Sequence, residues 1–303
     1  TMYEANYFPG GKRERVYMPP KSQKLARAEA AAFGSSFLNL LEGRYLSDLI
    51  LEKKSALETW KAMAQYNKFL SENSEFYVDA LQVSKILVLI PEDSEIYFSN
   101  WVGNLSELLD FMSKKNILYR VKLANWLKSE DIKDIKLLII PYFLNIDRLT
   151  CTLIESYKNN GGKIIGIGGC QFVKDISDVY YPWQMLNDLK KDSSRLEEFL
   201  NKVYTCSQTP TITIKNADYT LGNITSFPEN DRAIIHLINY KDEPDYNVSV
   251  KVDLKDIVRQ ISKDNIRVFS PDIGSTTISD INIDGNTLEF RLQKLETYTI
   301  VVI

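Results

Sequence analysis

Short apolar runs alternate with helical patterns between residues 85 and 205, and this alternation constrains the fold more than any other feature. The runs are KILVLI, ILYRVKL, KLLIIPYF and KIIGIGG, and most are apolar almost throughout. Helical patterns such as NLSELLDFMSKKN and DRLTCTLIESYKNNGG lie between them, and SSRLEEFLNKVY closes the series. Such strands are typical of a parallel sheet with helices on both faces. We therefore predict a doubly wound α/β domain over residues 83–205.

From about residue 206 the pattern changes to β-structure alone. Short runs rich in Val, Ile, Thr and Tyr are separated by turn signals; they include TITI, AIIHLINY, NVSVKVDL, IRVFS and TYTIVVI. The stretch DGNTLEF is a hairpin signal. Roughly a hundred residues of this kind predict a β-sandwich over residues 206–303.

The first 82 residues are mainly helical in pattern. KSQKLARAEAAAFG predicts a helix with Ser22 as its N-cap and Gly34 as its stop. SSFLNLL reads as a short buried strand that ends at Glu42-Gly43-Arg44. Residues 55–72 predict a second amphipathic helix, whose apolar side carries Leu57, Trp60, Met63, Ala64 and Leu70.

Composition excludes several classes of protein. The chain has 303 residues and a net charge of -3, with no basic stripe, so nucleic acid is not expected as a partner. No apolar run approaches the roughly 20 residues that a membrane span needs. The start, Thr1-Met2, has neither an initiator at position 1 nor a signal-peptide pattern. Two interpretations stand, a natural mature terminus and a piece of a longer protein, and the resemblance described below favours the second. The compartment is left open, with the cytoplasm favoured.

The glycine turn GGKIIGIGGCQF raises the possibility of thiol chemistry at Cys170. A catalytic cysteine needs a base, usually His, and the one histidine, His236, lies in AIIHLINY, where we expect a packed strand residue. In class I glutamine amidotransferases the nucleophile would occupy the position of Gly168. We therefore predict no glutaminase activity. The three cysteines lack metal-ligand spacing, and Gly166-x-Gly168 lacks the later glycine of a dinucleotide motif, so no metal or cofactor is expected.

Three consecutive segments together resemble glycoside hydrolase family 42 and related clan A enzymes. They are YEANYFPGG with PPKSQKLARAEAAAFGSSFLNLLEGR, then LLIIPYFLNIDRLTCTLIESYKNNGGKIIGIGG, then the ending HLINY, VFSPD and LEFRLQKLETYTIVVI. The resemblance implies the end of a (β/α)₈ barrel over residues 1–82. A flavodoxin-like, class I amidotransferase-like domain without glutaminase function would follow and mediate oligomer contacts, and a C-terminal β domain would complete the chain.

The resemblance also implies a site and a substrate. Glu4 would match the nucleophile at the end of the seventh barrel strand, and Tyr3, Tyr7, Glu42 and Arg44 would face the sugar. A retaining glycosidase needs two carboxyl groups about 5 Å apart, and the general acid of the fourth strand would lie outside this chain. The expected substrate is a carbohydrate, hydrolysed as by a β-galactosidase, and the expected assembly is a homo-oligomer.

The same residues and the same chain also have other interpretations, most of them without catalysis. Glu4 can be an exposed terminal residue, and Glu42 and Arg44 a solvated loop pair. The chain can also be a non-enzymatic assembly or carbohydrate-binding subunit with the same domains. A third alternative is a small-molecule enzyme of the flavodoxin-like domain, whose candidates at the strand ends are Asp93, Glu95, Tyr142, Asn145 and Cys170.

Overall fold

The structure is a computed structural model that describes residues 19–35, 43–91, 99–182, 185–209, 211–272 and 276–303. Its contacts divide the chain into two compact units. The discontinuous unit combines residues 1–82 with residues 212–303, and the continuous unit holds residues 83–211. Each unit has hydrophobic cores of its own.

The continuous unit is built on a parallel sheet, as the sequence predicts. Its strands are β2 (Ile86–Ile90), β3 (Arg120–Leu123), β4 (Leu137–Pro141), β5 (Lys163–Ile167) and β6 (Val179–Tyr181). They lie in the order β3-β2-β4-β5-β6, and every neighbouring pair runs parallel. The short strand β6 was not predicted, because its three residues are only partly buried and carry no apolar run.

Helices cover both faces of this sheet. They are α4 (Ser99–Lys114), α5 (Ser129–Ile132), α6 (Arg148–Asn159), α7 (Gln171–Ile176), α8 (Met185–Lys191) and α9 (Ser193–Ser207), with a 3₁₀ turn at Ala124–Trp126. Leu87 packs in one core with Ile154 of α6, whereas its neighbour Val88 packs in another with Leu108 of α4. Since successive strand side chains point to opposite faces, the strands are apolar almost throughout.

In its described residues, the discontinuous unit contains three helices and two antiparallel sheets. Its helices are α1 (Pro20–Ala32), α2 (Gly43–Ile50) and α3 (Lys54–Glu72), and a 3₁₀ turn follows at Ser74–Phe76. One sheet has the order β1-β8-β9-β14-β11, from β1 (Leu81–Gln82), β8 (Thr220–Phe227), β9 (Arg232–Asn239), β14 (Tyr298–Val302) and β11 (Arg267–Phe269). The other has the order β12-β13-β10-β7, from β12 (Ile278–Asp284), β13 (Thr287–Leu295), β10 (Asp245–Asp253) and β7 (Ile212–Lys215). Further 3₁₀ turns lie at Pro228–Asn230 and Lys263–Asn265.

Both faces of the first of these sheets are covered. Ala28 and Tyr66, from α1 and α3, share a core with Ile234, Ile300 and other residues of the sheet. On the second sheet's side, a Cβ at Gly222 of β8 would lie 2.4 Å from the Ile212 side chain of β7. The first sheet is therefore the middle layer between the helices and the second sheet.

The predicted element ends are partly confirmed. The hairpin at DGNTLEF forms between β12 and β13, with Asp284 opposite Thr287. Helix α1 begins at Pro20, not after Ser22, because proline suits the first helical position, where no N–H bond is required. Gly34, with φ 65°, follows its end as predicted, and the Ser35 N–H reaches back to the Ala30 carbonyl at 2.8 Å.

Two expectations for the helical segment are wrong. Helix α3 has the predicted extent, but Trp60 and Ala64 are exposed, and the buried side is that of Thr59, Met63 and Tyr66. Counting apolar residues gave the wrong buried face because the side chains of Thr59 and Tyr66, which carry hydroxyl groups, are buried. Residues from Gly43 onward form α2, not a loop. The predicted strand SSFLNLL lies mostly outside the described residues.

Candidate functional site

The residues expected to face a sugar fall mainly outside the described part of the chain. Tyr3, Glu4 and Tyr7 lie in the range 1–18, and Glu42 lies in the range 36–42. Arg44 is described: it is the second residue of α2 and is exposed. The structure thus gives a position for Arg44 and leaves the other four as predictions.

Helix α2 is anchored on α3 through its buried face. The Tyr45 hydroxyl donates to the Ala56 carbonyl at 3.3 Å. The nearly buried Asp48 carboxylate pairs with the Lys53 ammonium at 2.6 Å, in the turn that joins the two helices. Tyr45 directly follows Arg44 in the chain. Because Tyr45 is held against α3, the backbone of Arg44 is held in place as well.

Arg27 of α1 is a buried cation that sequence reasoning missed. Its side chain is 1% exposed. Nε donates to Asn67 Oδ1 at 2.8 Å, and Nη1 donates to the Gln23 carbonyl at 3.0 Å and to Gln23 Oε1 at 2.7 Å. Burial lowers the pKa of Arg27 to about 10, so the guanidinium stays charged at neutral pH. The bond to Asn67 ties α1 to α3, whereas the bonds to Gln23 lie within α1. The four-residue spacing in the sequence is a signal for the Gln23 pair alone.

A second polar cluster centres on the buried carboxylate of Asp272. Oδ1 accepts from Lys24 Nζ at 2.9 Å and from the Tyr66 hydroxyl at 3.0 Å. Oδ2 accepts from the backbone N–H groups of Thr297 and Tyr298 at 2.9 and 3.1 Å. Burial and the Asp272 charge raise the pKa of Tyr66 well above its usual value. With both oxygens occupied, Asp272 is suited to hold the helices on the sheet, not to exchange protons with a substrate.

The carboxyl groups with a displaced pKa do not suit a general acid. Asp131, Asp147, Asp178 and Asp192 are displaced, and all four pKa values are lowered. At Asp147 the main cause is the hydrogen bond from the Thr150 hydroxyl. At Asp178 burial acts in the opposite direction, but the Lys158 ammonium at 2.5 Å and other donors outweigh it. A glycosidase acid needs a raised pKa, so none of these four is a candidate.

The glycine turn is a tight strand-to-helix connection. Gly168 and Gly169 have φ values of 59° and 106°. The Cys170 N–H donates to the Phe143 carbonyl at 2.6 Å, and a Cβ at Gly169 would lie 2.8 Å from that carbonyl oxygen. Cys170 precedes α7 and is half-buried. The close approach of the two loops explains the glycines without any ligand.

The histidine is a packed strand residue, as the sequence predicts. His236 is completely buried in β9 of the discontinuous unit, whereas Cys170 belongs to the continuous unit. Its Nε2 bonds the Thr225 hydroxyl at 2.9 Å, and its Nδ1 bonds the Tyr298 hydroxyl at 2.8 Å. Burial lowers the pKa of His236 to about 3. Since the chain has one histidine, these contacts support the prediction that Cys170 lacks an imidazole base.

Within the described ranges, no group of three or more His, Cys, Asp or Glu side chains is arranged to hold a metal ion. In those same ranges, no helix combines the length and apolar character that crossing a membrane requires.

Comparisons with known proteins bear on the fold. No family model matches the chain, and no curated protein matches it significantly. Among solved structures, α-L-fucosidase isoenzyme 2 from Paenibacillus thiaminolyticus matches 94% of this chain and 57% of its own, with 12% identity and a TM-score of 0.66. A GH42 β-galactosidase from G. stearothermophilus (11% identity, TM-score 0.51) and a β-galactosidase from Bacillus circulans sp. alkalophilus (11%, 0.50) each match 81% of this chain.

These matches show a shared fold over part of each neighbour. The chain spans 57% of the fucosidase and 43% and 45% of the two β-galactosidases. At such low identity the likeness extends to architecture alone. The chain therefore has a mixed α/β fold, with parallel and antiparallel sheets, of the kind found in parts of glycoside hydrolases.

Proposed function

We propose that this chain is the C-terminal portion of a retaining glycoside hydrolase that acts on glycosides as a β-galactosidase does. The observation that carries the proposal is the match over 94% of the chain to a fucosidase, joined by matches over 81% to β-galactosidases. Residues 1–82 would be the end of a (β/α)₈ barrel. Residues 83–205 would be a non-catalytic, amidotransferase-like domain, and residues 206–303 a β-sandwich.

In this proposal the chain supplies one of the two catalytic carboxyl groups. The Glu4 carboxylate attacks the anomeric carbon from the carboxyl end of the seventh strand, where barrel active sites are built. A second carboxyl group, from residues upstream of this chain, protonates the leaving oxygen. Tyr3 and Tyr7 stack on the sugar, and Glu42 and Arg44 bind its hydroxyl groups. The anchored start of α2 supports the role of Arg44, because a fixed backbone limits the positions that the guanidinium samples.

The continuous unit would also mediate self-association. Trp126 and Leu149 expose 65% and 69% of their surface. The Thr150 hydroxyl donates to the Ala124 carbonyl at 3.2 Å, which brings the segments carrying these two side chains together. Adjacent exposed apolar side chains often mark contact surfaces. We also assign the loop aromatics Tyr97, Phe98, Trp101 and Trp183 to this contact; Tyr97, Phe98 and Trp183 lie outside the described residues, as does the side chain of Trp101.

The test compares three proteins on nitrophenyl glycosides: the longer native protein, its Glu4→Gln variant and the 303-residue chain. We expect turnover by the native protein, a loss of about a thousandfold or more in kcat for Glu4→Gln, and no turnover by the 303-residue chain. The control is Glu58→Gln, which removes an exposed carboxylate of α3 and should keep activity. Light scattering on the native sample measures the expected oligomer.

Two results would contradict the proposed roles of the two carboxyl groups. Full activity of Glu4→Gln would remove Glu4 from the mechanism, and hydrolysis by the 303-residue chain would remove the need for an upstream acid. An inactive native protein would instead favour the carbohydrate-binding or assembly subunit.

A further inference from the structure

Helices α2 and α3 leave apolar side chains open to solvent. Ile50, the last residue of α2, exposes 81% of its surface, and Leu51, which follows it, exposes 67%. Leu46 of α2 and Trp60 of α3 expose 40% and 45%. Because neighbouring exposed apolar side chains often mark a contact surface, their position relative to one another matters.

Each helix carries its exposed apolar residues in one stripe. Leu46 and Ile50 are four residues apart on α2, and Leu57, Trp60 and Ala64 are three and four residues apart on α3. Residues at these spacings lie along one side of a helix. The α3 stripe belongs to the apolar side that the sequence predicts to be buried, yet Trp60 and Ala64 are exposed.

The contacts between the two helices make them antiparallel neighbours. The Tyr45 hydroxyl of α2 lies 3.3 Å from the Ala56 carbonyl oxygen and 3.8 Å from Met63 Sδ, and these three side chains share a small core. The Asp48–Lys53 pair joins the adjoining ends of the helices. The chain therefore turns after α2, and α2 lies along the first half of α3.

Helix geometry then places both stripes on one side of the pair. At about 100° per residue, the α2 stripe lies about 100–140° beyond Tyr45, and the α3 stripe lies about 40–100° beyond Ala56. In antiparallel neighbours, rotation in the same sense leads from the contact to the same side of the pair. Tyr66 lies about 80° from Ala56 in the opposite sense, and it shares a core with the first sheet. The two stripes thus form one outer apolar face (Leu46, Ile50, Leu57, Trp60 and Ala64) that points away from the sheet.

Elsewhere the discontinuous unit covers its large aliphatic side chains. Among the described residues of 212–303, the exposed large hydrophobic side chains are tyrosines, whose hydroxyl groups suit water: Tyr219, Tyr240 and Tyr246. The exposed aliphatic side chains in the described part of this unit all belong to residues 1–82. A helix with apolar residues on two sides, as α3 has, is typical of a helix that is covered on two sides.

We propose that the outer apolar face packs against the upstream part of the same protein, the portion of the (β/α)₈ barrel that precedes this chain. The inference rests on the proposed function, which assigns residues 1–82 to the end of that barrel. In such a barrel the helices form a ring around the strands, so the last helices have upstream neighbours. The chain spans 57%, 43% and 45% of the three matched structures, and each of these therefore contains further structure that can supply such a cover.

The test is hydroxyl-radical footprinting, read by mass spectrometry, on the longer native protein and on the 303-residue chain. Peptides that carry Ile50 and Trp60 should be oxidised in the 303-residue chain and at least about fivefold less in the native protein, because covered side chains are nearly inaccessible. Tyr246 is the internal control. It lies in β10 of the second sheet, which the first sheet separates from the helices, so its oxidation should be equal in both proteins.

The variant Ile50→Gln gives a second readout. Glutamine suits a helix as well as isoleucine does, so in the 303-residue chain, where position 50 is exposed, the thermal midpoint should not change. In the native protein the amide would lie against apolar partners, and the midpoint should fall by about 2 °C or more. Glu58→Gln, at an exposed position of α3 outside the outer apolar face, should leave both midpoints unchanged.

Equal oxidation of the Ile50 and Trp60 peptides in the two proteins would overturn the inference, as would equal effects of Ile50→Gln on the two midpoints. Protection that the 303-residue chain already shows, and loses on dilution, would overturn it too, because a second copy would then be the cover. Protection in a native protein without turnover contradicts the hydrolase alone, and turnover without protection contradicts this packing alone. A native protein of 303 residues would contradict both.

Discussion

Arg27 and His236 are both almost inaccessible to solvent, and both bond neutral partners. Burial lowers the pKa of each, because it disfavours the charged form. The outcomes differ: a pKa of about 10 leaves Arg27 charged at neutral pH, whereas a pKa of about 3 leaves His236 neutral. His236 can therefore act as an acid-sensitive element of the discontinuous unit.

We predict that His236 weakens the fold as the pH falls. Its pKa is about 3 in the folded protein and 6.5 for an ordinary histidine, so below about pH 6.5 the unfolded chain binds a proton that the folded chain does not. Stability is lost from about pH 6.5 down towards pH 3, by on the order of 3 kcal/mol between pH 7 and pH 4. Urea unfolding at both pH values measures this loss.

The matched variant is His236→Gln, which keeps hydrogen-bonding groups but does not titrate. It should be less stable at pH 7, since its bonds to Thr225 and Tyr298 are imperfect, yet lose less stability on going to pH 4. Equal losses in the variant and the wild type would show that other groups cause the acid sensitivity.

The burial of His236 could be predicted from its apolar strand, but its partners could not. Tyr298 lies 62 positions further along the chain, and no local pattern pairs the two. The same holds for Tyr66 and Asp272, which are 206 positions apart. The hydrogen-bond partners of polar groups in a core are set by tertiary contacts. A single sequence can therefore indicate that such a group is buried, but it does not identify the partner.

Among the helices and strands, those with strong local signals were predicted best. The continuous apolar runs gave β2, β4 and β5, and the Asp-Gly signal gave the β12–β13 hairpin. Helix α3 was found, but its buried face was found only in part, because Tyr66 is buried against α1 and the first sheet, which are distant in the sequence. Of the candidate site, the packed histidine and the glycine turn could be predicted, whereas the bonds of Arg27 to Asn67 and of Asp272 to Lys24 and Tyr66 depend on contacts between distant segments.

We predict that Gly169→Ala destabilises the connection between β5 and α7. A Cβ would lie 2.8 Å from the Phe143 carbonyl oxygen, and φ is 106°, which side-chain-bearing residues rarely adopt. The two loops must separate or the backbone must change, at a cost of about 2 kcal/mol or more. Urea unfolding monitored by circular dichroism measures the change.

The control for this variant is Gly43→Ala, at the first position of α2. Among the described residues, a Cβ there would meet no heavy atom within 4 Å other than its chain neighbours and the backbone of its own helix. Because alanine also favours a helix, stability should stay equal or rise slightly. If both variants unfold like the wild type, the close approach of Gly169 to Phe143 does not contribute to stability.

At the level of the whole molecule, the sequence suggests three successive segments, whereas the contacts form two units. The first helices share a core with strands that lie about 200 residues later, for example Ala28 with Ile234. Local patterns report most of the helices and strands but carry no information on which amphipathic faces meet. Residues 1–82 belong to the same unit as residues 212–303. The assignment of residues 1–82 to the end of a barrel stays a prediction.

We predict that residues 83–211 fold when expressed alone and that residues 212–303 do not. The continuous unit contains both cores of its sheet. The isolated β-strands would expose Ile234, Ile238, Ile300 and other residues that α1 and α3 cover in the intact chain. Each such side chain loses about 1.5–3 kcal/mol of burial energy, and a few of them equal the entire stability of a typical domain, about 5–15 kcal/mol.

Two-dimensional NMR spectra of the fragments test this prediction. Residues 83–211 should give dispersed amide signals, whereas residues 212–303 should give collapsed signals or aggregate. A fusion of residues 19–82 to residues 212–303 through a flexible linker of about twenty residues should recover dispersion, because it restores the helical cover. Dispersed signals from residues 212–303 alone would mean that the second sheet suffices to stabilise the first, and that the helices contribute little to the core they share.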